Sequence, residues 1–431
     1  MTRLRIRGGR IIDPANGVDR DGDLCVAEGR IVAIGATPDG FTPKREIDAT
    51  GCVVCPGLVD LAARLREPGA EHKASIASEA RAAAAAGITT VVCPPDTDPP
   101  VDTPAVVELI HQRAAAADQA RVEVLGALTH GLRGAQLAAM GALAEAGCVG
   151  VSNAHQPIRD TEVLRRALEY AATLGLTVFL HAEDPWLAEG RMVHEGAVSA
   201  RLGLAGIPAV AETVAVARIL MLAEASGARV HFCRLSTAAA VDQLGAAQAH
   251  GLPVSADVAA HQLHLTEDAI DGFDSLAHVR PPLRTAADRE ALRSGLAAGV
   301  ITAVCSDHQP HEADAKLNPF PETEPGISAL ETLLPLTLAL VRDGALTLPR
   351  AIDRLTQGPA VALGLARGTL APGAPADVCV FDPETRYALT ESDLLSAGKN
   401  SPFIGRELGG SAVVTLVEGR VVFEGRGGIQ G

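Results

Sequence analysis

Aromatic side chains are scarce in this 431-residue sequence, at 3% of the chain, with one Trp and two Tyr. Since 47% of the residues are nevertheless hydrophobic, a large core has to be built from Ala, Val, Leu and Ile. No apolar run approaches the ~18 residues that a membrane-spanning helix needs. The chain opens on the strand-like Leu4-Arg5-Ile6, where a secretory leader would show a charged and then an apolar segment. We therefore expect no membrane partner and a cytoplasmic location.

Positive charge is also in short supply, with 37 Lys and Arg against 52 Asp and Glu and a net charge of −15. An acidic protein is repelled by nucleic acid and by an anionic membrane surface, so neither is an expected partner. The simpler interpretation is that the charge keeps the protein in solution.

The eight cysteines do not form a disulfide or zinc framework. Several lie inside strand-like apolar runs, as free thiols do in a reducing compartment. Cys52 and Cys55 have the C-x-x-C spacing, but no second pair stands at a suitable distance. We interpret both as strand residues of the core.

The middle of the sequence alternates strand-like runs with Ala- and Leu-rich helical stretches, such as residues 75–86 and 161–174. This alternation predicts βα units around a parallel sheet. Eight strand candidates occur, the number that closes a barrel. They are residues 53–54 leading to 59, then 90–93, 122–125, 149–151, 177–180, 230–233, 253–256 and 302–305.

Both ends of the chain are β-rich instead. Strand-like runs occupy residues 4–6, 24–26 and 30–34, and again 377–381 and 413–417. The turn Glu28-Gly29-Arg30 is echoed by Glu418-Gly419-Arg420. Neither end can bury a core alone, so we predict that they combine. The expected fold is α/β: a (β/α)8 TIM barrel at residues 56–355, with a small β-sandwich built from residues 1–55 and 356–431.

Polar residues follow directly on many of the predicted barrel strands, and a barrel gathers such residues at its C-terminal face. They are Asp96, Asn153, His181, Arg234 and Asp307. This pattern predicts one site at the barrel mouth.

Several stretches together resemble the cyclic amidohydrolases, and within them the dihydroorotase branch. Residues 56–69 read PGLVDLAARLREPG, where that family has PGLVDLHVHLREPG. The resemblance extends over nearly the whole chain and supports the barrel fold. The other stretches are residues 91–97 (VVCPPDT), 181–184 (HAED), 281–284 (PPLR), 306–311 (SDHQPH), 368–373 (GTLAPG) and 399–403 (KNSPF).

The resemblance implies a metal site in active relatives, which generates hydroxide and polarises the scissile amide. Four of the implied ligand positions carry residues that supply neither the imidazole nitrogen nor the carboxylate that a zinc site uses. These are Ala62 and Arg64 in place of a His-x-His pair, Asn153 (or the adjacent Ala154) in place of an acidic bridge, and Arg234 in place of a histidine.

The remaining donors are His181 and Asp307, the latter at the position of the proton shuttle. Two donors are fewer than the three protein ligands that a catalytic zinc keeps. His155 and His231 lie near the lost positions, but we interpret them as surface or core histidines with a hydrogen-bond partner. We therefore expect no metal.

The implied substrate contacts are altered as well. Asp96 stands where the family has an asparagine, and Arg280 stands in place of another. Arg66, which by resemblance pairs with a substrate carboxylate, is kept, and so is His311. Asp96 at short range is expected to repel an anionic ligand.

The two substituted arginines predict an ion-pair cluster. A buried Asp307 without a metal would be an unpaired charge, which is costly. We expect Arg64 or Arg234 within ~4 Å of an Asp307 oxygen, with His181 as a hydrogen-bonding partner. The alternative is that both guanidiniums point into solvent.

The resemblance is strongest to a non-catalytic dihydroorotase-like subunit. It implies an inactive structural or assembly subunit for aspartate transcarbamoylase in pyrimidine biosynthesis. Such a subunit would be part of a hetero-oligomer and would need no cofactor. One alternative is an active cyclic amidohydrolase, of dihydroorotase, hydantoinase or allantoinase type, with zinc in an altered mononuclear site. A sensor that binds a small molecule in the same pocket is the third.

Overall fold

The computed structural model describes residues 3–425, and 18 strands occur in this range. In chain order they are β1 (Leu4–Asp13), β2 (Val18–Ala27), β3 (Arg30–Gly35), β4 (Arg45–Asp48), β5 (Val53–Pro56), β6 (Leu58–Asp60), β7 (Ile88–Cys93), β8 (Arg121–Ala127), β9 (Gly150–Ser152), β10 (Val178–His181), β11 (Val193–His194), β12 (Gly206–Ile207), β13 (Val230–Cys233), β14 (Val254–Ala259), β15 (Ala303–Cys305), β16 (Val378–Ala388), β17 (Glu407–Val417) and β18 (Arg420–Glu424).

The two ends of the chain combine, as predicted, and their strands form one sheet. Its order is β18-β17-β16-β5-β1-β2-β3, and β4 also pairs with β1. The ends meet where β16 runs antiparallel to β5, with Cys379 opposite Cys55. Inward-facing residues of both ends, among them Ile6, Leu24 and Val414, share one aliphatic cluster. Residues 1–2 and 426–431 of the predicted ranges lie outside the described part.

The predicted barrel is also present, with eight parallel strands in the order β6-β7-β8-β9-β10-β13-β14-β15. Its first and last strands meet just beyond their ends, in a bridge between Ala63 and His308. There the Arg64 N–H donates to the His308 carbonyl at 2.9 Å. The inward side chains form a largely aliphatic cluster, as the composition predicts, with Phe179 as its aromatic member.

Residues 53–54 differ from the prediction, because they belong to the terminal sheet and not to the first barrel strand. The chain passes from one sheet to the other at Gly57. A Cβ on Gly57 would lie 2.2 Å from Thr89 Oγ1, so only glycine fits this crossing.

Twelve α-helices accompany the strands in the described part of the chain. They are α1 (Ile76–Ala85), α2 (Pro104–Ala117), α3 (Met140–Glu145), α4 (Thr161–Thr173), α5 (Pro185–Ala188), α6 (Ala197–Leu202), α7 (Val210–Ser226), α8 (Ala238–Ala249), α9 (Ala286–Ala298), α10 (Leu330–Arg342), α11 (Leu348–Leu355) and α12 (Gln357–Leu363). Short 3-10 helices lie at Pro14–Asn16, His130–Leu132, Ala260–Leu263, Glu267–Phe273, Ser275–Ala277, Ala313–Lys316, Phe320–Glu322 and Glu391–Asp393.

The helices predicted at residues 75–86 and 161–174 are α1 and α4. Ser75 caps α1, since its side chain accepts from the Ser78 N–H. Helix α12 lies beyond the predicted barrel range, yet its Ala362 and Leu363 pack in the interior cluster of the barrel with Val59. The barrel unit therefore continues to Leu363. None of the helices in residues 3–425 combines the length and apolar character that a membrane crossing requires.

All eight cysteines are free thiols. Cys55 is buried in β5, whereas Cys52 is half-buried just before that strand. Burial raises the pKa of the Cys93 thiol to about 12. The interpretation of Cys55 as a core strand residue is confirmed.

Candidate functional site

The barrel brings the polar residues that follow its strands to one end. Arg64 lies four residues after β6, Arg234 directly after β13 and Asp307 two residues after β15. Arg234 and Asp307 have positive φ angles, 55° and 48°, and so do the nearby Arg66 and Ala154. Non-glycine residues adopt this conformation only where the surrounding structure enforces it, which is common at binding sites.

The predicted ion-pair cluster is confirmed at this position. Arg64 Nη1 lies 3.6 Å and Arg234 Nε 3.4 Å from the same atom, Asp307 Oδ1. The Arg64, Arg234 and Asp307 side chains are 10%, 8% and 2% exposed. Burial raises the pKa of Asp307, although both guanidiniums oppose that shift. Neither arginine points into solvent.

Asp96 joins the cluster from the end of β7. Its Oδ2 accepts from Arg64 Nε at 2.8 Å. The Asp96 carboxylate, which is expected to repel an anionic ligand, is thus paired with Arg64, and that repulsion stays a prediction. We call Arg64, Asp96, Arg234 and Asp307 the mouth cluster.

A second pair stands above the mouth cluster. Arg280 donates from Nε and Nη2 to Glu183 Oε1, with the Nε contact at 3.1 Å. Burial alone would raise the pKa of Glu183, but the neighbouring His181 and Arg280 lower it to about 2. Both residues line a cleft of about 410 Å³ that leads to His155 and His181. The altered residue Arg280 thus serves to neutralise Glu183.

His181 differs from the expectation, since neither of its ring nitrogens has a hydrogen-bond partner within the described residues. The nearest carboxylate oxygen, Glu183 Oε2, is 3.8 Å from Nε2. The imidazole instead stacks on His155, with ring centroids 4.6 Å apart. The expected hydrogen bond of His181 is wrong.

His155 lies inside the mouth, although it was expected to be a surface or core residue. Its Nε2 is 3.2 Å from Arg234 Nη2, so it accepts from the guanidinium. Burial, together with the positive charges of Arg64 and Arg234, lowers the pKa of His155 well below the usual value. The core interpretation of His231 is confirmed, because its ring bonds to Ser255 Oγ and Asp257 Oδ2 at 2.8 and 3.0 Å.

Two of the altered ligand positions have structural roles. Ala62 packs in the interior cluster of the barrel. The Asn153 side chain accepts from Thr129 Oγ1 at 2.7 Å and donates to the carbonyls of Leu132 and Gln156 at 3.2 and 2.8 Å. The amide of Asn153 thus holds loops together.

Arg66 and His311 lie together beside the mouth cluster, with Arg66 Nη2 3.0 Å from His311 Nε2. Arg66 also donates from Nε to the Pro310 carbonyl. Burial and the nearby Arg64 lower the pKa of Arg66 to about 10. Burial and the Arg66 and Lys73 charges lower the pKa of His311 to about 2.

His261 is a member of the site that sequence reasoning missed. It lies two residues after β14, is 2% exposed, and its Nδ1 has no partner among the described residues. Burial, and then the charge of Arg234, lowers its pKa to about 3. The rule that polar residues follow barrel strands could have found it.

Fully paired residues support the mouth from below. His308 Nε2 lies 2.8 Å from Glu79 Oε2, and both side chains are completely buried. The Ala329 N–H donates to His308 Nδ1, so the proton sits on Nε2 and His308 donates to Glu79. Burial would raise the pKa of Glu79, but the bond from His308 lowers it to about 2.

The mouth does not fit a catalytic zinc ion. His181 keeps free lone pairs, but Arg64 and Arg234 occupy two ligand positions with groups that only donate. Asp307 is already shared between these guanidiniums. Within residues 3–425, no group of three or more His, Cys, Asp or Glu side chains is arranged to hold a metal ion.

A (β/α)8 barrel with a sheet built from both chain ends is the architecture of the cyclic amidohydrolases. The L-hydantoinase from Arthrobacter aurescens superposes with a TM-score of 0.87 at 26% identity, covering 98% of this chain and 96% of that one. The protein belongs to the cyclic amidohydrolase class.

The sequence comparisons identify a narrower family within this class. A family model described as dihydro-orotase-like matches residues 51–240. A "dihydroorotase-like protein" of Pseudomonas aeruginosa is 53% identical over 98% of this chain and 100% of its own length. A "dihydroorotase" of Syntrophotalea carbinolica is 45% identical over 98% of this chain and 99% of its own. The chain belongs to the dihydroorotase-like family.

Proposed function

We propose that the chain is a catalytically inactive dihydroorotase homologue, a cytoplasmic assembly subunit for aspartate transcarbamoylase in pyrimidine biosynthesis. The pairing of Arg64 and Arg234 with Asp307 is the observation that supports the proposed lack of catalytic activity. A shuttle aspartate acts on a metal-bound water, and the arginines at two ligand positions offer no lone pairs beside Asp307 to hold that metal. The relatives named dihydroorotase-like, at 53% and 52% identity, are consistent with this proposal.

An assay of dihydroorotase activity tests the proposal that the chain is catalytically inactive. We expect no hydrolysis of dihydroorotate and no closure of carbamoyl aspartate, with or without added zinc. Turnover that disappears in Asp307→Ala would contradict the proposal and favour the active amidohydrolase. The relatives named dihydroorotase, at 45% identity, make that alternative worth the assay.

The assembly role has a separate test. The chain and the aspartate transcarbamoylase catalytic chain of the same organism are purified singly and mixed, and the mass is measured by light scattering after gel filtration. We expect one complex heavier than either component, with higher transcarbamoylase activity than the catalytic chain alone. Two separate peaks with unchanged activity would rule this partner out.

A further inference from the structure

The mouth cluster presents hydrogen-bond donors at positions where a metal site needs lone pairs. A guanidinium has five N–H groups and no acceptor, and it matches oxyanions in geometry. Arg64 and Arg234 both reach Asp307 Oδ1, and their side chains are only 10% and 8% exposed. The substitutions therefore reverse the polarity of the pocket, from one that holds a cation to one that suits an anion.

Unpartnered polar atoms are concentrated here. Arg234 Nε, Asp307 Oδ1, both ring nitrogens of His181 and Nδ1 of His261 are buried and make no hydrogen bond with the described residues. Buried polar groups almost always have partners, so such a concentration indicates room for a guest. The cleft of about 410 Å³ beside His181 gives that guest a route from the surface.

Four guanidiniums and three carboxylates lie at the mouth. Arg64 and Arg234 share Asp307, Arg64 also contacts Asp96, and Arg280 pairs with Glu183. Arg66 is a half-buried guanidinium that has no carboxylate within 4 Å among residues 3–425; its hydrogen-bond partners are the Pro310 carbonyl and His311. The guanidiniums therefore keep hydrogen-bond donors that these three carboxylates do not use, and an oxyanion could accept from them.

We propose that the mouth binds one small oxyanion, of the size of bicarbonate or formate, between Arg64, Arg234 and His181. The anion accepts from a ring N–H of His181, which has no partner within the described residues, and from Arg234 Nε, which lies 3.4 Å from Asp307 Oδ1 but makes no hydrogen bond. Its size is limited because both guanidiniums lie within 3.6 Å of the same Asp307 oxygen. This binding does not depend on the assembly role, so either proposal can fail alone.

Formate is the probe in the first experiment. The melting temperature of the full chain is followed during a titration with sodium formate, with sodium chloride making up a constant ionic strength. We expect a saturable rise with formate that chloride does not give, and a dissociation constant in the millimolar range. Identical melting temperatures in the two salts would overturn the proposal.

Two variants locate the site. Asp307→Asn removes the carboxylate that repels the guest while keeping its shape, so formate should bind at least ten times more tightly. Arg234→Met should abolish the formate effect, whereas Arg166→Met, at an arginine that is 60% exposed on α4, should leave it unchanged. Weaker or equal binding in Asp307→Asn would contradict the proposal, even if Arg234→Met fails to fold. An equal loss in Arg166→Met would also contradict it, because the formate would then bind at the surface.

Discussion

The two ends of the barrel pair their charges differently. At the end opposite the mouth, Asp377 accepts from Arg121 Nη1 at 2.6 Å and from the Glu418 N–H at 2.9 Å, so both of its oxygens are bonded. We call Arg121 and Asp377 the bottom ion pair. At the mouth, the two guanidinium contacts of Asp307 are 3.4 and 3.6 Å long, and Oδ1 makes no hydrogen bond.

This difference indicates that the charged residues have a structural role at one end of the barrel and a binding role at the other. The bottom ion pair joins β8 to the residue before β16, so it connects the barrel to the terminal sheet. Its two charged atoms are as close as those of a charge-assisted hydrogen bond. Asp307 and its two guanidinium partners in the mouth cluster are more deeply buried, but their contacts are longer and incompletely bonded. Buried charges that are not optimally bonded add little stability, so the mouth is better explained as a binding pocket than as a structural brace.

The largest expected effect is that of Asp307→Ala. It leaves Arg64 and Arg234 buried without a carboxylate between them, and breaking a buried pair in this way costs about 3–5 kcal/mol. Urea unfolding at pH 7 measures the loss. Asp314→Ala, at an exposed position in the 3-10 helix Ala313–Lys316, is the matched control and should change stability by about 0.5 kcal/mol or less.

A smaller loss, about 1–3 kcal/mol, is expected for Asp377→Ala, in the range for leaving a buried donor unsatisfied. Its contacts are shorter, but Arg121 is 16% exposed and also lies 2.6 Å from Glu418. It can therefore keep one partner. If Asp377→Ala proves more damaging than Asp307→Ala under the same urea conditions, depth of burial does not govern these charges, and the comparison fails.

The Glu79–His308 pair beneath the mouth gives a pH-dependent effect of about 1 kcal/mol. The pKa of Glu79 is lowered from 4.5 to about 2 in the folded chain. Its stabilisation is therefore complete above pH 4.5 and is lost as the pH falls towards 2.

Glu79→Gln has no such titration, so its unfolding free energy should fall less than that of the unmodified chain between pH 6 and 3.5. The difference in loss should be about 1 kcal/mol, measured by urea unfolding at each pH. Parallel pH profiles of the two proteins would show that the carboxylate is not held in this way.

Much of the fold could be predicted from sequence, because the change from strand to helix periodicity marks the βα units and the two β-rich ends. The convergence of Arg64, Arg234 and Asp307 could also be predicted, since each follows a barrel strand. The orientation of His181 could not, because it depends on how the His155 ring packs against it. The Arg64–Asp96 contact was equally hidden, since nothing local in the sequence indicates which carboxylate a guanidinium reaches.

The most direct measurement is the zinc content of the chain after chelation, addition of one equivalent of zinc and gel filtration. We expect well below one zinc ion per chain. The triple variant Ala62→His, Arg64→His and Arg234→His, which together with His181 offers four imidazoles, should retain about one, in line with the three or four ligands of zinc sites. About one zinc ion on the unmodified chain, lost in His181→Ala, would contradict the central claim that arginines have replaced the metal site.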